Sequence, residues 1–199
     1  MADILVVVEH QEGVFKKNTL SVVSAAKALA GLSGGEVDAL VLGDGVAAVA
    51  DVAAGTGVRK VLLGEGAAFG KYLAVTYAGA VAQVVKAKGY GAVLAPASTF
   101  GKDFMPRLSG LLDAPLASDI MGLEKDGDAL RVKRPMYAGN AIGTVTLAGS
   151  PMLFTVRQTA FDAAATGGTK APVEKVSVAA GRGARRSCRV RRRNRSGRS

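Results

Sequence analysis

Tryptophan is absent from this 199-residue chain, aromatic residues make up 5% of it, and it has one cysteine and one histidine. One cysteine, Cys188, excludes a disulfide framework and a Cys-ligated zinc centre. One imidazole, His10, excludes a paired-histidine metal site, and any histidine-dependent triad would have to use it. Long apolar runs are missing as well. The run at residues 4–8 is too short to span a membrane and has no basic flank, so it does not read as a signal peptide. These absences point to a protein of a reducing, soluble compartment, most simply the bacterial cytoplasm, with no membrane partner.

Acidic residues are missing from residues 181–199, which carry nine arginines. Of the chain's formal charge of +10, that stretch therefore holds nearly all. Residues 1–180 have 17 basic and 16 acidic side chains, a net of +1. The basic character belongs to the tail and gives no reason to read the body as a nucleic-acid binder. The body is apolar, with 49% hydrophobic residues in the whole chain, and is long enough to bury a core without staples.

The body alternates strand and helix patterns. Residues 4–8 form an apolar, β-branched run suited to a buried parallel strand. A polar loop at 9–17 follows, then a helix capped by Asn18 or Thr19, with Val22, Ala26 and Leu29 on one face and Gly31 as its stop. Strands are expected at 36–42, 60–63 and 91–95. Helices are expected at 46–54, at 73–88, and from Ser98 or Thr99 to Leu112, with Pro106 in the first turn or at a kink. Beyond Pro115 the pattern turns to strands, at 120–123, 130–137, 141–147 and 152–157. Turns fall at Asp126-Gly127-Asp128, at Gly139-Asn140 and at Ala148-Gly149-Ser150-Pro151. The fold class is α/β, a layered structure whose mostly parallel sheet is extended by antiparallel strands. Residues 163–180, rich in Ala, Gly, Thr and Lys, read as a linker.

Gly43-Asp44-Gly45-Val46-Ala47-Ala48 has the G-x-G-x-x-A form of a phosphate-binding turn, although an ordinary strand-to-helix turn also accounts for it. The stretch from Pro96 to Arg107 follows a strand whose carboxyl end should face the binding crevice of an α/β fold. It gathers Ser98, Thr99, Lys102, Asp103 and Arg107 within ten residues, and the same residues also suit a capped, solvated first turn. His10 ends the first strand and could face the same crevice. Asp38 and Asp44 do not make an acid/base pair, since nothing near them in sequence would split their pKa values.

Several unusual peptides recur in one order: Ser98-Thr99-Phe100-Gly101-Lys102-Asp103 with Pro106-Arg107, Ser118-Asp119-Ile120, Tyr137-Ala138-Gly139-Asn140-Ala141, Phe154-Thr155-Val156-Arg157 and Phe161-Asp162-Ala163-Ala164-Ala165-Thr166. On them the chain resembles the amino-terminal domain of the alpha subunit of electron transfer flavoprotein, the FixB family, from residue 4 to about residue 166. The resemblance implies a Rossmann-like, three-layer fold of the adenine nucleotide alpha hydrolase-like type and a heterodimer with a beta subunit. It also implies electron carriage by one FAD, from dehydrogenases to a quinone reductase or another acceptor, with no catalytic residues in this domain. In the family, FAD is held mainly by a carboxy-terminal domain, whose Gly-Gly-Arg-Gly, Gln-Thr-Gly-Lys and Gly-Ile-Ser-Gly-Ala segments are not complete here.

Gly181-Arg182-Gly183 looks like part of the first segment, but it stands too soon after Phe161 for Arg182 to be assigned an FAD contact. The expectation is a truncated alpha subunit: domain 1–162, linker 163–180, and a disordered Arg-rich tail 181–199 with a shifted reading frame as its origin. Such a chain alone is expected to bind FAD weakly or not at all. The resemblance places the surface for the beta subunit, and the seat of the missing domain, at Ser98, Thr99, Lys102, Asp103, Pro106, Arg107, Tyr137, Asn140 and Arg157. Two other readings stay open. One is a stand-alone adenine-nucleotide module with phosphate on residues 43–48 or on the Ser98 loop. The other is nucleic-acid binding by a genuine Arg-rich tail through counterion release.

Overall fold

A computed structural model of the chain describes residues 3–127 and 129–180. The expectations placed on Asp128, Arg182, Cys188 and the Arg-rich stretch lie outside the described residues. Strand β1 is Ile4–Val7, wholly buried. Its side chains alternate between two cores: Ile4, Val6 and Val8 face one, Leu5 and Val7 the other. The loop expected next holds a small antiparallel hairpin, β2 (His10–Gln11) and β3 (Val14–Phe15), turned by Glu12 and Gly13 with positive φ.

Helix α1, Asn18–Ser33, differs from the sequence reading at both ends. Its N-cap is Lys17, with no side-chain cap bond. Asn18 and Thr19 spend their side chains on Glu9 instead. The helix also runs through Gly31 and stops at Gly34, whose left-handed backbone suits glycine. Strand β4 (Val37–Gly43), helix α2 (Ala47–Ala54) and strand β5 (Lys60–Glu65) follow as expected, and a 3-10 turn at Ala67–Phe69 leads to α3, Ala74–Lys88. Strand β6 is Ala92–Pro96 and α4 is Thr99–Leu112. Pro106 sits in the middle of α4, not in its first turn; the helix continues on the packing of Phe104, Met105 and Leu108, all fully buried.

Past Pro115 one expected strand resolves into two. β7, Leu116–Ile120, joins the main sheet, while β8, Gly122–Asp126, belongs to a second one. The chain passes between the sheets at Met121, just after an irregularity in β7 at Asp119, where φ is 60° and the backbone N–H donates to Thr155 Oγ1. β8, β9 (Ala129–Met136) and β10 (Ala141–Thr146) form a three-stranded antiparallel sheet. It docks on the first core through buried Val132 and half-buried Leu123, Leu130 and Val145. At the β9–β10 turn the positive φ angles fall on Tyr137, Ala138 and Gly139, whereas Asn140 keeps a negative one. β11, Met152–Val156, returns to the main sheet parallel to both β6 and β7.

The main sheet has the order β12-β5-β4-β1-β6-β11-β7, and all its pairings are parallel. α1 and α2 cover one face, α3 and α4 the other, which gives the three-layer α/β architecture expected. The antiparallel strands sit in their own sheet beside it. Residues 163–180 do more than connect. They cross the first face, with Ala164 N–H donating to Leu20, Gly168 to Gly55 and Ala171 to Ala54, and supply β12 (Val173–Lys175) beside β5. Gln83 then grips the Ala179 backbone at both its N–H and its carbonyl, at 3.1 and 2.8 Å. Composition cannot show this, because the segment's bonds are made by its backbone.

Candidate functional site

The chain builds β1, β4 and β5 outward in one direction, then crosses to β6 on the other side of β1. The carboxyl ends of β1 and β6 therefore diverge into a crevice, the place where ligands sit on such sheets. Here it measures about 760 Å³. Glu9 follows the end of β1 and His10 opens β2, Asp44 and Val46 follow β4, and Thr99, Phe100 and Asp103 come from the start of α4.

Glu9 fixes this end of the sheet. Its Oε2 accepts from Asn18 Nδ2 at 2.6 Å and from Ser98 Oγ at 2.7 Å, tying β1 to α1 and α4. Ser98 also caps α4, accepting from Gly101 N–H across 3.5 Å. Gly101 cannot be another residue without movement, since a Cβ there would overlap the Pro96 carbonyl. One wall is aromatic. Tyr72 lies 5.0 Å from Tyr77 and 5.1 Å from Phe100, centroid to centroid, and Phe69 stands edge-on to Tyr77. Tyr77 donates to the Leu42 carbonyl at 2.9 Å, and burial pushes its phenol up to about 12. His10 Nε2 donates to the same carbonyl at 2.7 Å, leaving a buried Nδ1 without a partner. Tyr72 donates to Asp103 Oδ2 at 3.0 Å; burial first, then this carboxylate, raise its pKa.

Around these rings, among the described residues, stand Glu9, Glu12, Asp44 and Asp103, against one cation, Lys71. A phosphate or a dinucleotide's pyrophosphate would face four carboxylates here, so the crevice does not fit FAD or AMP. The Gly43 turn has a packing explanation: a Cβ at Gly43 would strike the Val46 side chain. Asp38 and Asp44 lie at opposite ends of β4. Asp38, fully buried, is held by Arg59 at 2.8 and 2.6 Å and by Tyr90 Oη at 2.5 Å.

Behind the crevice a second cavity of about 110 Å³ is lined by Asn18, Ser98, Asp119, Arg157 and Gln158, among others. Arg157 forms a two-point pair with Asp119, at 3.2 and 2.6 Å. The Arg157 hydrogen bond holds the Asp119 carboxyl below its usual range, against partial desolvation.

Of the residues singled out in the sequence, Thr99 and Asp103 line the crevice, and Ser98 and Arg157 share the cavity behind it. Lys102, Pro106 and Arg107 lie on the exposed side of α4. Tyr137 and Asn140 lie apart from both cavities, at the exposed β9–β10 turn, where Tyr137 is 78% accessible beside exposed Met136 and Ile142. Sequence reasoning missed Glu9 and Tyr72. Glu9 could have been found as an acid at the carboxyl end of the central strand. Tyr72 lies in an aperiodic stretch and gives no such signal. Among the described residues no helix is long and apolar enough to cross a membrane.

Comparison with known proteins agrees with the fold. Residues 4–181 match the family model described as Electron transfer flavoprotein domain. The electron transfer flavoprotein subunit alpha of Pseudomonas aeruginosa is 44% identical over 175 residues, which is 87% of this chain and 54% of that protein. That of Paracoccus denitrificans is 39% identical over 179 residues, 89% of this chain and 54% of that protein. The mitochondrial alpha subunit of Dictyostelium discoideum is 35% identical over 175 residues, 85% of this chain and 48% of that protein. The chain thus spans about half the length of the curated relatives it matches.

Proposed function

Since this chain belongs to the electron transfer flavoprotein family and corresponds to the amino-terminal part of its alpha subunits, we propose that it is the scaffold and beta-subunit-binding part of an electron carrier. The similarity over nearly nine-tenths of the chain carries this reading. In such a carrier the flavin performs the redox step and the protein supplies position and electrostatics. The chain supplies no nucleophile or general base to a reaction, and electrons pass from dehydrogenases to a downstream acceptor through the assembled complex in the cytoplasm.

Residues 163–180 close the domain body that residues 1–162 begin, since β12 completes one edge of its main sheet. The beta subunit sits against the β9–β10 arm, where Tyr137, Asn140 and Ile142 offer exposed surface, and against the outer face of α4 with Lys102, Pro106 and Arg107. Ser98, Thr99, Asp103 and Arg157 support that surface from behind. The acidic crevice argues against a flavin seat in this half, so the chain alone binds no FAD.

Co-expression with a beta subunit followed by affinity capture tests the reading. Co-elution in equal amounts is expected, and Ile142→Lys, on the exposed edge strand, should weaken it at least about tenfold. Absence of the beta subunit from the eluate, with the chain folded, would contradict the proposal.

A further inference from the structure

Among the described residues there are two tyrosine–aspartate pairs, one at each end of the main sheet. At the amino end, Tyr90 donates to Asp38 and the Arg59 guanidinium completes the pair with a two-point contact. At the carboxyl end, Tyr72 donates to Asp103 on the wall of the crevice. Glu12 and Asp44, both exposed, line the same crevice. Among the described residues, no Lys or Arg forms a salt bridge with Glu9, Glu12, Asp44 or Asp103. This excess of negative charge is local, since residues 1–180 carry a net charge of only +1.

We propose that the crevice receives an arginine side chain carried by a basic segment of a protein partner. Its chemistry selects that occupant. A guanidinium is planar, bonds a carboxylate at two points and stacks on aromatic faces. Asp103 and the Tyr72 and Phe100 rings offer both contacts side by side. A volume of about 760 Å³ has room for the arginine and flanking backbone. Glu12 and Asp44 then meet neighbouring positive charge. A phosphate is repelled by the same carboxylates, and among the described residues no three His, Cys, Asp or Glu side chains converge to hold a metal ion.

The full chain and a fluorescently labelled heptapeptide with one central arginine provide the test, read by anisotropy. The arginine peptide should bind, and its glutamine counterpart at least about tenfold more weakly. Asp103→Asn and Tyr72→Leu, which removes the ring, should each weaken binding at least about fivefold, while Glu174→Gln at the far sheet edge changes nothing. AMP should not compete, and added salt should lower the affinity. Equal binding of arginine and glutamine peptides would overturn the proposal, as would undiminished binding to Asp103→Asn or displacement by AMP. All variants change exposed side chains, and unaltered melting curves confirm their folds. Capture of the beta subunit does not enter this measurement, so the two proposals fail separately.

Discussion

The two ends of the main sheet use the same kinds of residue to opposite effect. At the amino end Asp38 is fully buried, and Arg59 bridges it to Asp3 and Glu36. Every acid there has a cation, and the cluster fastens β1, β4 and the turn into β5 together. At the carboxyl end Asp103, Asp44 and Glu12 are exposed and form no salt bridge among the described residues, with Lys71 the one described cation on the same crevice. A carboxylate that is buried and paired is structure. The same group left open on an aromatic wall is available for recognition, at little cost to stability.

The largest effect should come from breaking the closed end. Arg59→Ala leaves Asp38 buried beside Tyr90 alone, and should cost about 3–5 kcal/mol in urea unfolding. Asp103→Asn should change stability by no more than about 0.5 kcal/mol. Equal losses would erase the difference between the two ends. Gly101→Val forces a side chain into the Pro96 carbonyl, where backbone must yield, and should cost about 1–3 kcal/mol. Ser98→Ala removes both the α4 cap and the bond to Glu9, at about 1 kcal/mol.

One small effect is acid-dependent. Asp119 has a lowered pKa in the folded chain, so its contribution is complete above the unfolded value of about 3.9 and is lost as pH falls through the folded one. Arg157 is substantially exposed, and solvent screening keeps the contribution small. Asp119→Asn should lower the neutral plateau of a stability–pH curve slightly and flatten its acid limb, the two curves converging at low pH.

The layered fold was legible because buried strands and amphipathic helices carry their periodicity in side chains. Residues 4–8, 73–88 and the Ser98 start of α4 were read for that reason. The α1 cap was misread because Asn18 and Thr19 found a tertiary partner in Glu9, and sequence cannot show such competition. Of the two places read for Pro106, the first turn or a kink, the first is excluded: it lies inside α4, which buried Phe104, Met105 and Leu108 hold in place. β12 escaped notice because three exposed residues at a sheet edge have no apolar pattern. At the site, Asp103 and Thr99 were legible from their place after a strand. The charge balance of the crevice depends on Glu12, Asp44 and Tyr72, which only the sheet order brings together.

The visible absorbance spectrum of the full chain, purified alone after incubation with excess FAD and desalting, tests the central claim most directly. A colourless protein, whose flavin bands appear only in the assembled complex, is the predicted result. A stoichiometric yellow flavin on the chain by itself would contradict the assignment of this half as scaffold.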